Sequence, residues 1–377
     1  MKIVADENIP QVYEAFSDLG EVELLPGREI AHKHLHNCQC LLVRTVTQID
    51  HRLLDDTAVE FVGTATVGTD HVDLNYLENN HIAFSNAAGC NAEGVSEYVI
   101  SGLFALSGHK GFDPFELKAG IIGCGNIGSR LLQKLQALGI ETLINDPPLE
   151  EAETSDYQYV DLDTILSECN FITLHVPLTN DGDHPTFHLL NKTRLHQLKK
   201  NCILINAARG PVVDNVALLD MLERRSDLTV FLDTWENEPD ISRALLLQVD
   251  LATPHVAGYS VEGRLRATQM ILDKACKHFS TCSNWHMSKF LPETIDLEIE
   301  ASDNQLRFWQ QLFGQHHDIW QDHDALTQST QLSDHEFAAH FDSLRRNYPA
   351  RSEYERYRLI GVTNKKAAAI ARELLFQ

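Results

Sequence analysis

The 377-residue chain contains 54 acidic and 31 basic residues, which gives a formal charge of −23 at pH 7. A protein that binds nucleic acid normally presents a basic face, so this balance argues against nucleic acid as a partner. The sequence has no run of about 18 apolar residues, does not begin like a signal peptide, and scatters its cysteines rather than arranging them as a disulfide framework. These features favour a cytoplasmic protein of two or three domains with no membrane partner.

Residues 1–90 alternate between short apolar runs and helical patterns, which is typical of a parallel α/β sheet. Strands are predicted at Lys2–Ala5, Cys40–Arg44, Phe61–Ala65 and Ile82–Asn86, and helices over Pro10–Leu19 and from His51 onward. The segment 31–40 holds three His and two Cys at alternate positions. Because no second group of ligands with zinc spacing accompanies it, we interpret it as surface chain and predict no metal site.

A predicted helix over 92–107 leads to the stretch 117–148, which combines an apolar strand, a glycine turn, an amphipathic helix and a second apolar strand. In the turn, Gly123 allows the tight bend, Gly125 lets the backbone approach a pyrophosphate, and Gly128 lets the helix pack against the strand. This spacing predicts a βαβ unit that binds a dinucleotide.

Two further features of that unit specify the cofactor. The amides around Asn126 and Ile127 would lie at the helix N-terminus, where the helix dipole favours anions. Asp146 ends the second strand, where an acidic residue bonds the adenosine ribose hydroxyls and selects NAD over NADP. We therefore predict NAD as the cofactor.

More strands follow the glycine motif, at Phe171–Val176, Cys202–Asn206, Val230–Asp233 and Leu251–Thr253, with helices over 163–167, 191–199 and 215–224. In doubly wound sheets, ligands bind outside the carboxyl ends of the strands. Polar residues follow several of these ends and should face one crevice: His175, Asn206–Gly210, Asp233 and Thr253–His255.

Three residues near these strand ends form a chemically complete set for oxidising a 2-hydroxy acid. Arg209 can hold a substrate carboxylate in a bidentate grip. His255 can accept the alcohol proton as hydride leaves the carbon, and Glu238 can orient the ring and favour the imidazolium. Each residue taken singly also has a structural interpretation; their common location after a dinucleotide motif favours catalysis.

The pattern changes in the last part of the chain. A long helix over Ser260–Phe279 would return the chain to the first α/β unit. Beyond residue 285, Thr294–Ile299 alternates like a half-buried strand and polar helical stretches follow, which predicts a small α+β extension. Such extensions commonly serve oligomerisation.

The motif GCGNIG with Asp146, HVPL from His175, NAARG through Arg209, EP at Glu238 and TPH through His255 resemble the D-isomer-specific 2-hydroxyacid dehydrogenase family over about residues 40–280. The resemblance implies that Arg209 binds the carboxylate, that His255 is the acid/base and that Glu238 is its partner. Further NAD contacts are expected at His175, Ala207, Ala208, Asp233 and Gly258. Pro177, beside the end of its strand, is expected to pack on the cofactor.

Other segments, such as ADENIP at 5–10 and PHVAGYSVEG at 254–263, resemble members of that family that act on a phosphorylated hydroxy acid and carry an extra dimerisation domain. This likeness implies substrate contacts at Thr45, Thr66 and Tyr259. Arg44 is the candidate for the phosphate. The pair Arg345–Arg346 is a weaker candidate, because a solvated surface is its favoured interpretation.

The expected architecture has two Rossmann-like, flavodoxin-like parallel-sheet domains with a cleft between them and a small C-terminal α+β domain. The substrate domain would comprise 1–92 and 257–285, the NAD-binding domain 93–256 and the dimerisation domain 286–377. The expected protein is a homodimeric NAD-dependent dehydrogenase of a small phosphorylated D-2-hydroxy acid. The alternatives are a dehydrogenase of another D-2-hydroxy acid, such as 3-phosphoglycerate, or a non-enzymatic NAD-sensing protein.

Overall fold

The computed structural model describes residues 1–153, 155–300, 302 and 304–377. Contacts among these residues group the chain into two compact units. The first unit consists of Met1–Ala92 and Ser260–Glu293, and the second of Glu93–Tyr259 and Thr294–Gln377. In the described part of the chain, no helix is both long and apolar enough to cross a membrane.

The strands, in chain order, are β1 (Lys2–Asp6), β2 (Glu21–Leu25), β3 (Cys40–Val43), β4 (Phe61–Thr64), β5 (Ala83–Asn86), β6 (Lys118–Ile122), β7 (Glu141–Asn145), β8 (Phe171–Leu174), β9 (Ile203–Asn206), β10 (Thr229–Leu232), β11 (Leu251–Ala252), β12 (Ile295–Glu298) and β13 (Tyr357–Ile360). The α-helices are α1 (Val12–Phe16), α2 (His51–Leu54), α3 (Leu74–Asn79), α4 (Ala92–Lys110), α5 (Asn126–Ala137), α6 (Pro147–Glu151), α7 (Leu162–Glu168), α8 (Lys192–Gln197), α9 (Asn215–Leu222), α10 (Arg243–Leu246), α11 (Val261–His278), α12 (Gln305–His316), α13 (Ile319–Thr327), α14 (Asp334–Arg346) and α15 (Lys365–Glu373).

The first unit is built on a parallel sheet with strand order β2-β1-β3-β4-β5. One face of this sheet is covered by α11, whose Ile271 and Leu272 pack with Ile3 and Phe61 in one apolar cluster. The Thr268 hydroxyl of α11 donates to the carbonyl of Pro10 over 2.8 Å. The long helix therefore returns to the first α/β unit, as the sequence predicts.

The strand β2 was not expected from the sequence. It lies at the edge of the sheet and pairs only with β1. Its residues Glu21 and Leu24 are exposed, and the strand lacks the continuous buried run of β1, β3 and β4. An edge strand of this kind carries little periodic signal.

The second unit contains a parallel sheet with order β11-β10-β9-β8-β6-β7. Its register pairs Ile122 with Leu174, Leu174 with Asn206, and Asn206 with Leu232. The residues that follow these strands therefore emerge at one edge of the sheet, where ligands of open parallel sheets bind. Apolar clusters cover both faces of the sheet.

The C-terminal segment 294–377 belongs to the second unit. It consists of α12 to α15 and a parallel pair of strands, β12 and β13. Its aromatic residues Trp309, Phe313 and Tyr354 are buried in the same cluster as Phe104 of α4. The two parallel sheets and the small α+β extension expected from the sequence are thus confirmed, whereas the three-domain division and the dimerisation role remain predictions.

Candidate active site

The glycine turn after β6 has the geometry of a dinucleotide-binding turn. Gly123 has φ +89°, and a Cβ on it would lie 2.8 Å from the backbone of His175. A Cβ on Gly128 would lie 2.0 Å from the carbonyl oxygen of Gly123, so only glycine lets α5 pack this closely. Gly125, which precedes α5, has nothing within 4 Å of the position of a Cβ and makes no side-chain cap. The turn therefore offers open backbone and uncapped amides of the kind that bind a pyrophosphate.

Asp146 is held beside this turn by backbone amides. Its Oδ2 accepts from the amide of Cys124 over 2.7 Å, and its Oδ1 accepts from the amide of Leu149 over 3.2 Å, which caps α6. Each carboxylate oxygen has two lone pairs, so both can accept a further hydrogen bond from ribose hydroxyls. The role of Asp146 in NAD selection remains a prediction.

His175 follows β8 at the same edge and is a neutral, buried histidine. Burial lowers the pKa of its imidazole to about 3. Its Nε2 is 2.9 Å from the Thr173 hydroxyl, and its buried Nδ1 has no hydrogen-bond partner among the described residues. An unpaired buried nitrogen at this edge fits a polar group of a bound dinucleotide.

A hydrogen-bonded pair of side chains joins the loops after β10 and β11. His255 Nδ1 lies 2.8 Å from Glu238 Oε2, and Glu238 Oε1 accepts from the amide of Trp235 over 2.9 Å. Burial by itself raises the pKa of the Glu238 carboxyl, but the charge and hydrogen bond of His255, together with Arg345, outweigh it and hold this pKa below its ordinary value. The carboxylate is therefore ionised and can stabilise a protonated imidazole.

The loop that carries His255 is clamped by Asp233. The fully buried Asp233 carboxylate accepts from the Thr253 hydroxyl over 2.7 Å and from the amides of Val256 and Ala257 over 2.9 and 3.1 Å. His255 itself has φ +56°, a conformation that non-glycine residues adopt only when the surroundings enforce it. Asp233, which the sequence pointed to only as a cofactor contact, thus also positions the histidine.

A second histidine–carboxylate pair shows that such a pair alone does not mark the site. His188 Nε2 lies 2.7 Å from Glu236 Oε1, and its Nδ1 lies 3.7 Å from Asp214 Oδ2. Within the described residues these three side chains are close enough to hold a metal ion, but each is already engaged with the others. The clamp by Asp233 and the place at the sheet edge distinguish His255 from His188.

In the segment 31–40, His34 Nδ1 accepts a hydrogen bond from the backbone amide of Ala31.

Comparisons with known proteins agree with this geometry. A sequence model described as "D-isomer specific 2-hydroxyacid dehydrogenase, NAD binding domain" matches residues 93–257. The erythronate-4-phosphate dehydrogenase of Cellvibrio japonicus is 43% identical over 364 residues, which cover 95% of this chain and 94% of that protein. That of Proteus mirabilis is 40% identical and covers 96% and 95%. The chain belongs to the D-isomer-specific 2-hydroxyacid dehydrogenase family.

Solved structures with lower identity share the fold. The NAD⁺-bound 3-phosphoglycerate dehydrogenase of Entamoeba histolytica matches with TM-score 0.63 and 23% identity over 74% of this chain and 95% of that one. The D-lactate dehydrogenase of Aquifex aeolicus, solved with NAD and lactic acid, matches with TM-score 0.60 and 24% identity over 74% and 95%. The prediction of an NAD-dependent D-2-hydroxyacid dehydrogenase is confirmed.

Arg345 of the dehydrogenase, on the C-terminal segment, is a functional candidate that the sequence underrated. Its Nη1 lies 3.8 Å from Glu238 Oε2, the oxygen that also faces His255, and its side chain is only 26% exposed. The solvated-surface interpretation of the Arg345–Arg346 pair is therefore wrong for Arg345, whereas Arg346 is exposed. No local pattern could have revealed this contact, because it joins distant parts of the chain.

Three other predicted substrate residues of the dehydrogenase, Arg44, Thr45 and Thr66, belong to the first unit, whereas Tyr259 belongs to the second. Thr45 is exposed, and the Thr66 hydroxyl lies 2.7 Å from that of Thr64. Arg44 donates from Nε to Oδ2 of the buried Asp6 over 2.9 Å and from Nη2 to Oδ1 over 3.3 Å. The guanidinium of Arg44 thus already holds a carboxylate in its fork. The roles of these residues remain predictions.

Proposed function

We propose that this dehydrogenase oxidises the C2 hydroxyl of 4-phospho-D-erythronate to 3-hydroxy-2-oxo-4-phosphooxybutanoate, with NAD as the acceptor, in pyridoxal phosphate (vitamin B6) biosynthesis. The support for this substrate is the match to erythronate-4-phosphate dehydrogenases along almost the full length of both chains. The observation that carries the chemistry is the 2.8 Å contact between His255 and Glu238, at the same edge of the sheet as the dinucleotide turn.

His255 acts as the base in the direction of oxidation. Because Nδ1 faces the ionised Glu238, the proton of the neutral ring belongs on Nδ1, and Nε2 is the atom that accepts the substrate's hydroxyl proton. Glu238 then stabilises the imidazolium that forms. The clamp of Asp233 on the 253–257 loop holds the ring in this orientation before substrate arrives.

Arg209 binds the substrate carboxylate in this proposal. It follows β9 at the same sheet edge, and its Nη1 donates to the carbonyl of Ala208 over 2.8 Å, which fixes the guanidinium relative to its own loop. A guanidinium matches a carboxylate with two parallel hydrogen bonds, which orients the C2 hydroxyl as well as holding the acid.

NAD, when bound, supplies the acceptor for the hydride that leaves C2. The residues that would hold it lie along the sheet edge. The amides of Gly125, Asn126 and Ile127 would bind the pyrophosphate, and the Asp146 carboxylate would bind the adenosine ribose. The remaining proposed contacts are His175, Pro177, Ala207, Ala208, Asp233 and Gly258.

The finer assignments are part of the same proposal. Thr45, Thr66 and Tyr259 contact the substrate, and the protein works as a cytoplasmic homodimer through residues 286–377. Substitution of each Thr by Val tests the first assignment through KM, and analytical ultracentrifugation of the purified chain tests the second.

The deciding experiment measures NADH formation by the purified protein with 4-phospho-D-erythronate, 3-phosphoglycerate and D-lactate. The proposal expects the highest kcat/KM with 4-phospho-D-erythronate. An equal or higher value with either of the other acids would remove the substrate assignment while leaving the dehydrogenase chemistry in place.

A further inference from the structure

We propose that Arg345, on the C-terminal segment, binds the phosphate group of the substrate. This inference rests on the proposed function and assigns a phosphate subsite to the last turn of α14. It replaces Arg44, the candidate favoured by the sequence, whose guanidinium fork is already filled by Asp6.

The first observation is the place of the guanidinium. Arg345 Nη1 and His255 Nδ1 lie 3.8 and 2.8 Å from the same oxygen of Glu238, so a few bond lengths separate the cation from the catalytic ring. In a four-carbon acid phosphate, the phosphate is likewise a few bonds from C2. A substrate of this length can therefore reach from His255 to Arg345.

The second observation is that the donors of Arg345 are unused. A guanidinium carries five N–H donors. Among the described residues none accepts a hydrogen bond from Arg345, and its Nε is buried without a partner. Within the described part of the chain, its guanidinium approaches Glu238 to 3.8 Å, and its Cζ lies 5.9 Å from the centre of the Phe341 ring. A partly buried cation with unused donors is suited to an anionic ligand with several acceptor oxygens.

The third observation is that the C-terminal segment is anchored to the catalytic loop. The buried Arg351 donates to the carbonyls of Val256 and Ala257, immediately after His255, and lies 4.5 Å over the ring of Tyr98. Tyr348 packs edge-on against Tyr259, with ring centroids 5.9 Å apart. Tyr348 and Arg351 both follow Arg345 closely in the sequence, so these contacts tie the end of α14 to the loop that carries His255.

The charges around Arg345 also favour a role in binding the phosphate. Burial opposes the positive charge of Arg345, but Tyr259 and the nearby carboxylates outweigh it and raise the pKa of the guanidinium. These carboxylates are Glu238, Asp233 and Asp342. Such surroundings, in a chain of formal charge −23, repel a phosphate unless a cation contacts it directly. Removing Arg345 should therefore leave a site that disfavours the phosphate.

The test compares the KM for 4-phospho-D-erythronate with the inhibition constant of D-erythronate, the same acid without phosphate. The variants are Arg345→Gln and Arg345→Lys, and the matched control is Arg346→Gln, the exposed neighbour in the same helical turn. NAD affinity, measured for each variant, reports on the fold of the second unit.

Arg345→Gln should raise the KM for the phosphate ester roughly 10- to 100-fold, the loss expected for a charge-assisted contact, and leave the D-erythronate constant unchanged. Arg345→Lys keeps the charge but loses the forked guanidinium, so its KM for the phosphate ester should lie between those of the wild type and Arg345→Gln. Arg346→Gln should match the wild type. If Arg345→Gln binds NAD more weakly than the wild type, the assignment is judged from Arg345→Lys instead. That variant should raise the KM for the phosphate ester and leave the inhibition constant of D-erythronate unchanged.

Equal increases for both acids, or a fall in kcat with no change in the KM for the phosphate ester, would overturn the assignment and make Arg345 a positioning residue for Glu238. Unchanged constants in both variants would also overturn it. A wild-type protein that does not prefer 4-phospho-D-erythronate would instead remove the proposed function, so the two failures are distinguishable.

Discussion

Glu238→Gln tests whether the charge of this side chain, and not only its shape, supports the histidine. The substitution keeps the size of the side chain and an oxygen that can accept from His255 Nδ1. It removes the anion that faces the imidazolium. The variant should lose turnover because the protonated His255 formed during oxidation no longer has an ionised partner 2.8 Å away.

The size of the effect follows from the contact. A hydrogen bond to a charged group contributes about 1.5 to 3 kcal/mol, which corresponds to a fall of roughly 10- to 150-fold in kcat/KM. The pKa of Glu238 lies below its ordinary value because its hydrogen-bonded and charged neighbours outweigh burial. The carboxylate is therefore ionised throughout the neutral range.

The assay records kcat/KM for NADH formation at neutral pH for the wild type, Glu238→Gln and Glu236→Gln. Glu236 is the matched control, since it forms a histidine pair of similar length with His188. Glu236→Gln should keep the wild-type kcat/KM. A Glu238→Gln enzyme with the wild-type kcat/KM would refute the reasoning.

Two further predictions concern the fold. Gly128→Ala puts a Cβ 2.0 Å from the Gly123 carbonyl oxygen. It should therefore weaken NAD binding and lower the free energy of unfolding in urea by about 1 to 3 kcal/mol, the usual cost of overpacking. The control is Gly314→Ala, which has nothing within 4 Å of its Cβ and should not be destabilised. Burial lowers the pKa of His316 to about 3. As the pH falls below about 6.5, the unfolded chain therefore binds a proton that the native state does not. The free energy of unfolding therefore falls by about 1.4 kcal/mol for each pH unit down to about pH 3. His316→Gln should accordingly reduce the loss of unfolding free energy between pH 7 and pH 5 by about 2 kcal/mol, and an unchanged loss would contradict the buried neutral state.

The features predictable from sequence are those that local spacing encodes. The glycine turn could be read because the steric demands at Gly123 and Gly128 exclude other residues. The strands of the two central sheets could be read because continuous apolar runs are needed where both faces are covered. The pairing of His255 with Glu238 could be expected, because both follow strands of one parallel sheet and so emerge at the same edge.

The features that sequence did not reveal depend on long-range contacts or weak periodicity. The strand β13 pairs with β12 in a two-stranded sheet that leaves Arg358 and Ile360 exposed. Because the apolar Ile360 occupies an exposed position, the alternation of apolar and polar residues along this strand is weak. Arg345 is a charged residue near the end of an amphipathic helix, where a solvated surface is the ordinary outcome. Only the docking of the C-terminal segment brings it to Glu238. Similarly, the clamp by Asp233 becomes visible only when the 253–257 loop is folded over it.

The central claim is that His255 transfers the substrate proton in an NAD-dependent oxidation, and His255→Ala tests it most directly. The measurement is the steady-state rate of NADH formation from 4-phospho-D-erythronate, with NAD affinity determined on the same preparation. We predict that turnover is abolished while the NAD affinity stays at the wild-type value, because the glycine turn and Asp146 do not depend on the imidazole. Turnover near the wild-type rate in His255→Ala would contradict the account.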